Sequence, residues 1–238
     1  MFNFYLKDLP LPPPNIKVIQ YADDISIYTS GRDIDAMSRA ISEYAKVVIK
    51  YLTDKKLKVS PAKSTVTLFT PDTKEAKLKP EIFLDDSNTA VELESNPKLL
   101  GVYFDTMYTF SHNAKKSAQK AKAKVNVLKA LAGTDWVQDK DTILMAYKAT
   151  GRSVLEYAAP IWAPAISDTS WECLQKAQNQ ALRAASGCLR LTGIDNLHQE
   201  TQVLPIKPHS QMLAKQFLAA CYKDNHPGRK HTVAPPSD

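Results

Sequence analysis

The 238-residue sequence predicts an α+β protein in two main parts. A small mixed part spans residues 1–110, an all-helical part spans 111–222, and a disordered tail is expected at 223–238. Two observations carry this division. Before residue 110, short runs rich in Val, Ile, Tyr and Thr alternate with turn residues and one long amphipathic stretch; from His112 onward, apolar residues recur at three- and four-residue spacing. The charge changes in step. Residues 1–113 hold 14 Lys+Arg against 15 Asp+Glu, whereas 114–238 hold 17 against 10. A near-neutral part joined to a basic part suggests that the second part faces a polyanion.

The elements follow in order. Residues 2–9 read as a helix end or ordered lead-in, and LPLPPPN (9–15) as a rigid extended connection, because each proline fixes φ and removes a donor. The segment KVIQYADDISIYTSG reads as a β-hairpin with an Asp-Asp pair at its tip. Asp33 is placed to cap a long helix whose apolar stripe is Ile34, Met37, Ile41, Tyr44, Val48 and Leu52. The chain then turns through Ser60-Pro61 into a strand at 65–69. A short strand is expected near 82–84, and KLLGVYFD (98–105) reads as one strand with Gly101 inside it, where a backbone comes close to something.

In the second part Ala114, Ala118, Ala121, Val125, Leu128 and Ala132 form a heptad-like seam. A helix after Asp139 offers Ile143, Leu144, Tyr147, Val154, Leu155 and Ala158 for burial, with Gly151 weakening or bending it and Pro160 ending it. Another after Thr169 carries Trp171, Leu174, Ala181, Leu182 and Ala185 and stops at Gly187. A last one spans about 211–222.

With 44% apolar residues the chain can build a core. No apolar run approaches the roughly 18 to 20 residues that span a bilayer, so no membrane partner is expected. The start, MFNFYLKDLPLPPPN, lacks the pattern of a secretory signal. Cys173, Cys188 and Cys221 form no CxxC and fit a reduced compartment. The expected location is intracellular, nuclear or cytoplasmic, and not secreted.

Adjacent aspartates at a hairpin tip have two explanations. Asp is common in turns because its side chain bonds nearby backbone. Alternatively, hard cations such as Mg²⁺ take oxygen ligands from one or two carboxylates plus substrate phosphates, as in two-metal phosphoryl transfer. Tyr21-Ala22-Asp23-Asp24 between β-rich flanks resembles the YxDD box of reverse transcriptases, in the YADD form common in retrotransposons without long terminal repeats. Further segments follow in the family's order. Leu57-Lys58-Val59-Ser60-Pro61-Ala62-Lys63-Ser64 is similar to the family's lysine after an Asn/Ser-Pro turn. Leu99-Leu100-Gly101-Val102 resembles the primer-grip strand. RSVLEYAAPIW (152–162) and LQKAQNQALR (174–183) resemble thumb helices of jockey-like enzymes. The resemblance covers about residues 2–222.

The resemblance implies a partial palm followed by a helical thumb. It makes Asp23 a direct metal ligand and Asp24 a supporting one, with Mg²⁺ as cofactor and Mn²⁺ as the alternative. Lys63 would protonate the departing pyrophosphate, or be merely an exposed lysine after a turn. Tyr21 would shape the floor under the primer end, and Leu100 and Gly101 would contact primer. The implied partners are an RNA template and DNA primer, held as an RNA–DNA duplex, and deoxynucleoside triphosphates. The family's earlier palm aspartate, its GxPQG-like helix start and its fingers are expected to be missing, since Met1–Leu6 resembles the segment just after that helix start. Polymerisation by this chain alone is therefore not expected. A non-catalytic nucleic-acid-binding module and an inert remnant of a decayed element are the alternatives.

Residues 114–124 hold Lys115, Lys116, Lys120, Lys122 and Lys124. On a helix, Lys116, Lys120 and Lys124 share a stripe that could follow a phosphate backbone, or serve only as a solvated face. Other patterns are weaker. Cys221, His226 and His231 lack a fourth zinc ligand. Asp85-Asp86 reads as a turn, His198 and His209 have no catalytic partner at short range, and Trp136, Trp162 and Trp171 read as core.

Overall fold

The structure, a computed structural model, describes residues 5–84, 90–132 and 139–223, with side chains described to 129 in the middle stretch. It is a mixed α+β protein that divides into two units, Met1–Pro97 and Lys98–Asp238. Asp85-Asp86, Trp136, His226, His231 and the tail lie outside the described residues.

In the first unit β1 (Ile16–Tyr21) and β2 (Asp24–Thr29) form an antiparallel hairpin. Its register runs from Ile16↔Thr29 to Tyr21↔Asp24. Side chains alternate across the pleat, so Ile16, Val18, Ile25 and Ile27 face α1 (Ile34–Asp54) and join Tyr44, Val48 and Leu52 in one core. Asp33 caps α1 by accepting the Ala36 N–H at 3.0 Å. The proline-rich connection is tied down where the Tyr44 hydroxyl donates to the Pro10 carbonyl at 2.6 Å. Ser60-Pro61 opens a one-turn 3₁₀ helix, Pro61–Lys63. The strand expected over 65–69 shortens to β3 (Thr65–Val66), paired in parallel with β4 (Glu92–Leu93). Near 82–84 a single antiparallel bridge, Phe83↔Ala90, takes the place of a strand.

In the second unit KLLGVYFD is not one strand. It folds into a tight hairpin of β5 (Lys98–Leu99) and β6 (Val102–Tyr103). Leu100 and Gly101 at its turn have φ of 45° and 91°, the paired positive values of a type I′ turn. The helices follow as α2 (Ser111–Ala132), α3 (Lys140–Tyr147), α4 (Ser153–Leu155), α5 (Ala159–Trp162), α6 (Asp168–Ser186), α7 (Ile194–Thr201) and α8 (Ile206–Cys221). The broadest helix contact is between α2 and α6. The expected seam is buried at Ala114, Ala118, Ala121, Val125 and Leu128, while the Ala132 side chain lies outside the description. Trp162 and Trp171 are core, their ring centroids 5.6 Å apart.

Asp139 caps α3 as expected, accepting from Asp141 N and Thr142 N. Gly151 sits in a π turn, Lys148–Arg152, where a Cβ would come within 2.8 Å of the buried Tyr147 ring. Pro160 opens a helix instead of ending one. The chain has already broken at Ala158, whose φ is 53°, and the missing N–H of proline costs nothing in a first turn. The last helix begins at Ile206, ahead of the expected start, and α7 has no counterpart among the sequence expectations.

Candidate functional site

Tyr21 and Asp24 are the last paired residues of the hairpin, and Ala22-Asp23 is its two-residue turn. Ala22 has φ 52°, a left-handed conformation that costs an L-residue about 1–2 kcal/mol. Two-residue hairpin turns ask for such a dihedral, so it follows from the tight connection of β1 to β2. Asp23 and Asp24 are exposed, and Tyr21 is 61% exposed. Neither carboxylate accepts a hydrogen bond or ion pair from a described residue.

That contrasts with other turn and cap aspartates. Asp33 accepts from Ala36 N, Asp72 from Lys74 N, Asp105 from Thr109 N and Asp139 from Asp141 N. Those bonds hold Asp139 below its ordinary carboxylate range, the Asp141 N–H contributing most. Local backbone bonding thus explains those four acids, whereas the 23–24 pair, like the exposed Asp8 and Asp54, has no such bond from a described residue. Lys63 is exposed on its 3₁₀ turn, and no hydrogen bond or ion pair links it to Asp23 or Asp24.

The Asp pair supplies oxygen donors of the kind a hard cation takes, and too few to enclose one. No group of three or more His, Cys, Asp or Glu able to hold a metal occurs among the described residues. The pair therefore fits an Mg²⁺ or Mn²⁺ whose remaining ligands are phosphates and water.

Leu100 and Gly101 belong to the second unit, and Tyr157 braces their turn. Its hydroxyl donates to the Leu100 carbonyl at 2.8 Å, and a Cβ on Gly101 would lie 3.0 Å from its ring. The close approach expected at Gly101 is made by this chain's own tyrosine. Lys116, Lys120 and Lys124 are exposed along one line of α2, as are Lys115, Lys122 and Lys129. The helix contains no Asp or Glu, and none of these lysines forms an ion pair with a described residue.

One cluster is absent from the sequence expectations. Arg152 Nε donates to both oxygens of Glu156 at 3.2 Å, and His209 Nδ1 donates to Glu156 at 2.6 Å. Arg152 and Gln178 also donate to the Leu204 carbonyl. Beside them His198 Nδ1 donates to the Val203 carbonyl at 2.6 Å. By this bonding the neutral ring accepts at Nε2 from the Gln175 amide, 3.0 Å away. Both histidines thus have partners, 53 and 23 residues distant. Burial drives the nearby Tyr147 hydroxyl far above the ordinary tyrosine range, Arg152 opposing the shift and Glu156 adding to it. The bonds pin residues 203–206 against α6, a structural task. Polar Gln175, Gln178 and Asn179 on the inward side of α6 were the available signal.

The chain matches no protein-family model, no curated protein and no solved structure. No described helix is long and apolar enough to cross a membrane.

Proposed function

We propose that this chain carries the palm hairpin and helical thumb of an RNA-directed DNA polymerase of the type found in non-LTR retrotransposons. The observation that carries the reading is the Asp23–Asp24 pair, exposed on a hairpin turn and bonded to no described residue. An adjacent carboxylate pair with no described partner suits an external cation. Asp23 would hold Mg²⁺ or Mn²⁺, with Asp24 in support, and the bound ion supplies charge neutralisation at the phosphates. Tyr21, the register partner of Asp24, would form the floor under a primer end, and Lys63 would give a proton to the departing pyrophosphate.

Among the described residues no third carboxylate joins the pair to bridge two ions, and positioning with electrostatics supplies nearly all the catalysis of phosphoryl transfer. These 238 residues alone are therefore expected not to polymerise. The acid-free α2 favours a second reading, nucleic-acid binding without chemistry. Like charges at i, i+4 spacing destabilise a helix, and no acid on α2 offsets its lysines. The test is Mg²⁺-dependent primer extension on an RNA template by the purified chain, with Asp23→Ala alongside. The expected result is no incorporation from a folded protein. Incorporation that Asp23→Ala abolishes would overturn the expected inactivity and strengthen the polymerase assignment.

A further inference from the structure

Tyr103 lies on the solvent side of the β5–β6 hairpin. Its neighbour Val102 is 2% exposed and points into the core, so Tyr103 faces the other way, directly across the ladder from Lys98. The Lys98 ammonium lies 5.7 Å from the Tyr103 ring centroid and that of Lys120 lies 6.0 Å from it. His112 meets the same ring edge-on at 5.1 Å. The platform is fixed from behind, because the buried Asn113 side chain accepts the Tyr103 N–H at 3.2 Å. One partly buried aromatic ring thus gathers two ammonium groups and an imidazole, at the start of a helix that carries no acid. The nearby Asp105 is occupied, accepting from the Thr109 N–H and hydroxyl.

We infer that Tyr103, Lys98 and Lys120 form a binding site for single-stranded nucleic acid, with a base stacked on Tyr103 and flanking phosphates on the lysines. Aromatic platforms beside basic side chains are how proteins hold single strands without reading sequence. Both ammonium groups sit near the roughly 6 Å limit of cation–π contact. Their hold on the ring is weak, and they are free to turn to phosphates. Lys116 and Lys124 extend the basic line one turn to either side of Lys120. The inference rests on the proposed nucleic-acid-binding role of the helical unit and adds to it a stacking residue and a strand type.

The experiment titrates the full chain against a labelled oligothymidylate of about a dozen nucleotides and, separately, an RNA–DNA duplex, each over a salt series. The variants are Tyr103→Leu, Tyr103→Phe, Lys98→Gln and the double variant Lys116→Gln/Lys124→Gln, each checked by thermal melting. Stacking predicts that Tyr103→Leu weakens single-strand binding about tenfold or more, with the salt slope unchanged, while Tyr103→Phe binds as the parent does. Lys98→Gln should reduce the slope by about 0.7 for the single strand. A folded Tyr103→Leu chain that binds the single strand with parental affinity overturns the inference. If the double variant then still lowers duplex affinity, the helix retains its proposed role. Absence of binding of either probe to the parent chain overturns both.

Discussion

Asp23 and Asp24 stand at a hairpin tip without a described bonding partner, whereas Glu156, in the helical unit, is 9% exposed at its side chain and holds both Arg152 and His209. A buried carboxylate left without partners would be heavily penalised, so its bonds are a condition of its burial. The exposed pair is under no such constraint and makes no such bonds to described residues. Folding explains Glu156. It does not explain the adjacent acids on a turn that already strains Ala22. The difference separates acids that build the protein from acids that face outward.

The comparison can be broken most forcefully at Glu156. Glu156→Ala leaves Arg152 and His209 without their shared acceptor and should cost about 3–5 kcal/mol, read by denaturant unfolding. A loss below about 1 kcal/mol would mean that the cluster is not structural. Gly101→Ala comes next, at about 2 kcal/mol, because a positive φ and the Tyr157 ring both oppose a Cβ. Adding Tyr157→Ala should recover the steric part alone, and a strictly additive pair would show that the tyrosine does not brace the turn. The smallest effects are the sharpest contrast. Asp33→Ala loses a helix cap and should cost about 1 kcal/mol, while Asp23→Ala should change stability by less than about 0.5 kcal/mol. Equal losses in thermal melts would place Asp23 among the structural acids.

Much of this arrangement was legible because it is local. Alternation around Ala22-Asp23 set the hairpin and its inward face, and three- and four-residue spacing placed α1 and the alanine seam of α2. Caps at Asp33 and Asp139 followed from short-range bonding. The misread segments are those where nonlocal packing or a hidden dihedral decides. Leu99-Leu100-Gly101-Val102 looks like one apolar strand until Leu100 takes a positive φ under the Tyr157 hydroxyl. Pro160 looks like a terminator because the break at Ala158 carries no residue that announces it. The eight-residue α7 is too short for periodicity to register. Glu156 and His209 meet across a distance that no spacing rule spans. At the candidate site, the sequence marked the acids but could not show that no described residue bonds to them.

The π turn at Lys148–Arg152 bears on how chain length relates to phase. Each residue added to an α-helix rotates everything beyond it by about 100°. Confined to a π turn, an extra residue is taken up within a single widened loop of backbone. Ile143 and Tyr147 before it and Leu155 after it all remain buried. In reading-frame terms, this segment absorbs one codon's worth of length without turning the next helical face outward. The bare Cα of Gly151 against the Tyr147 ring provides the room.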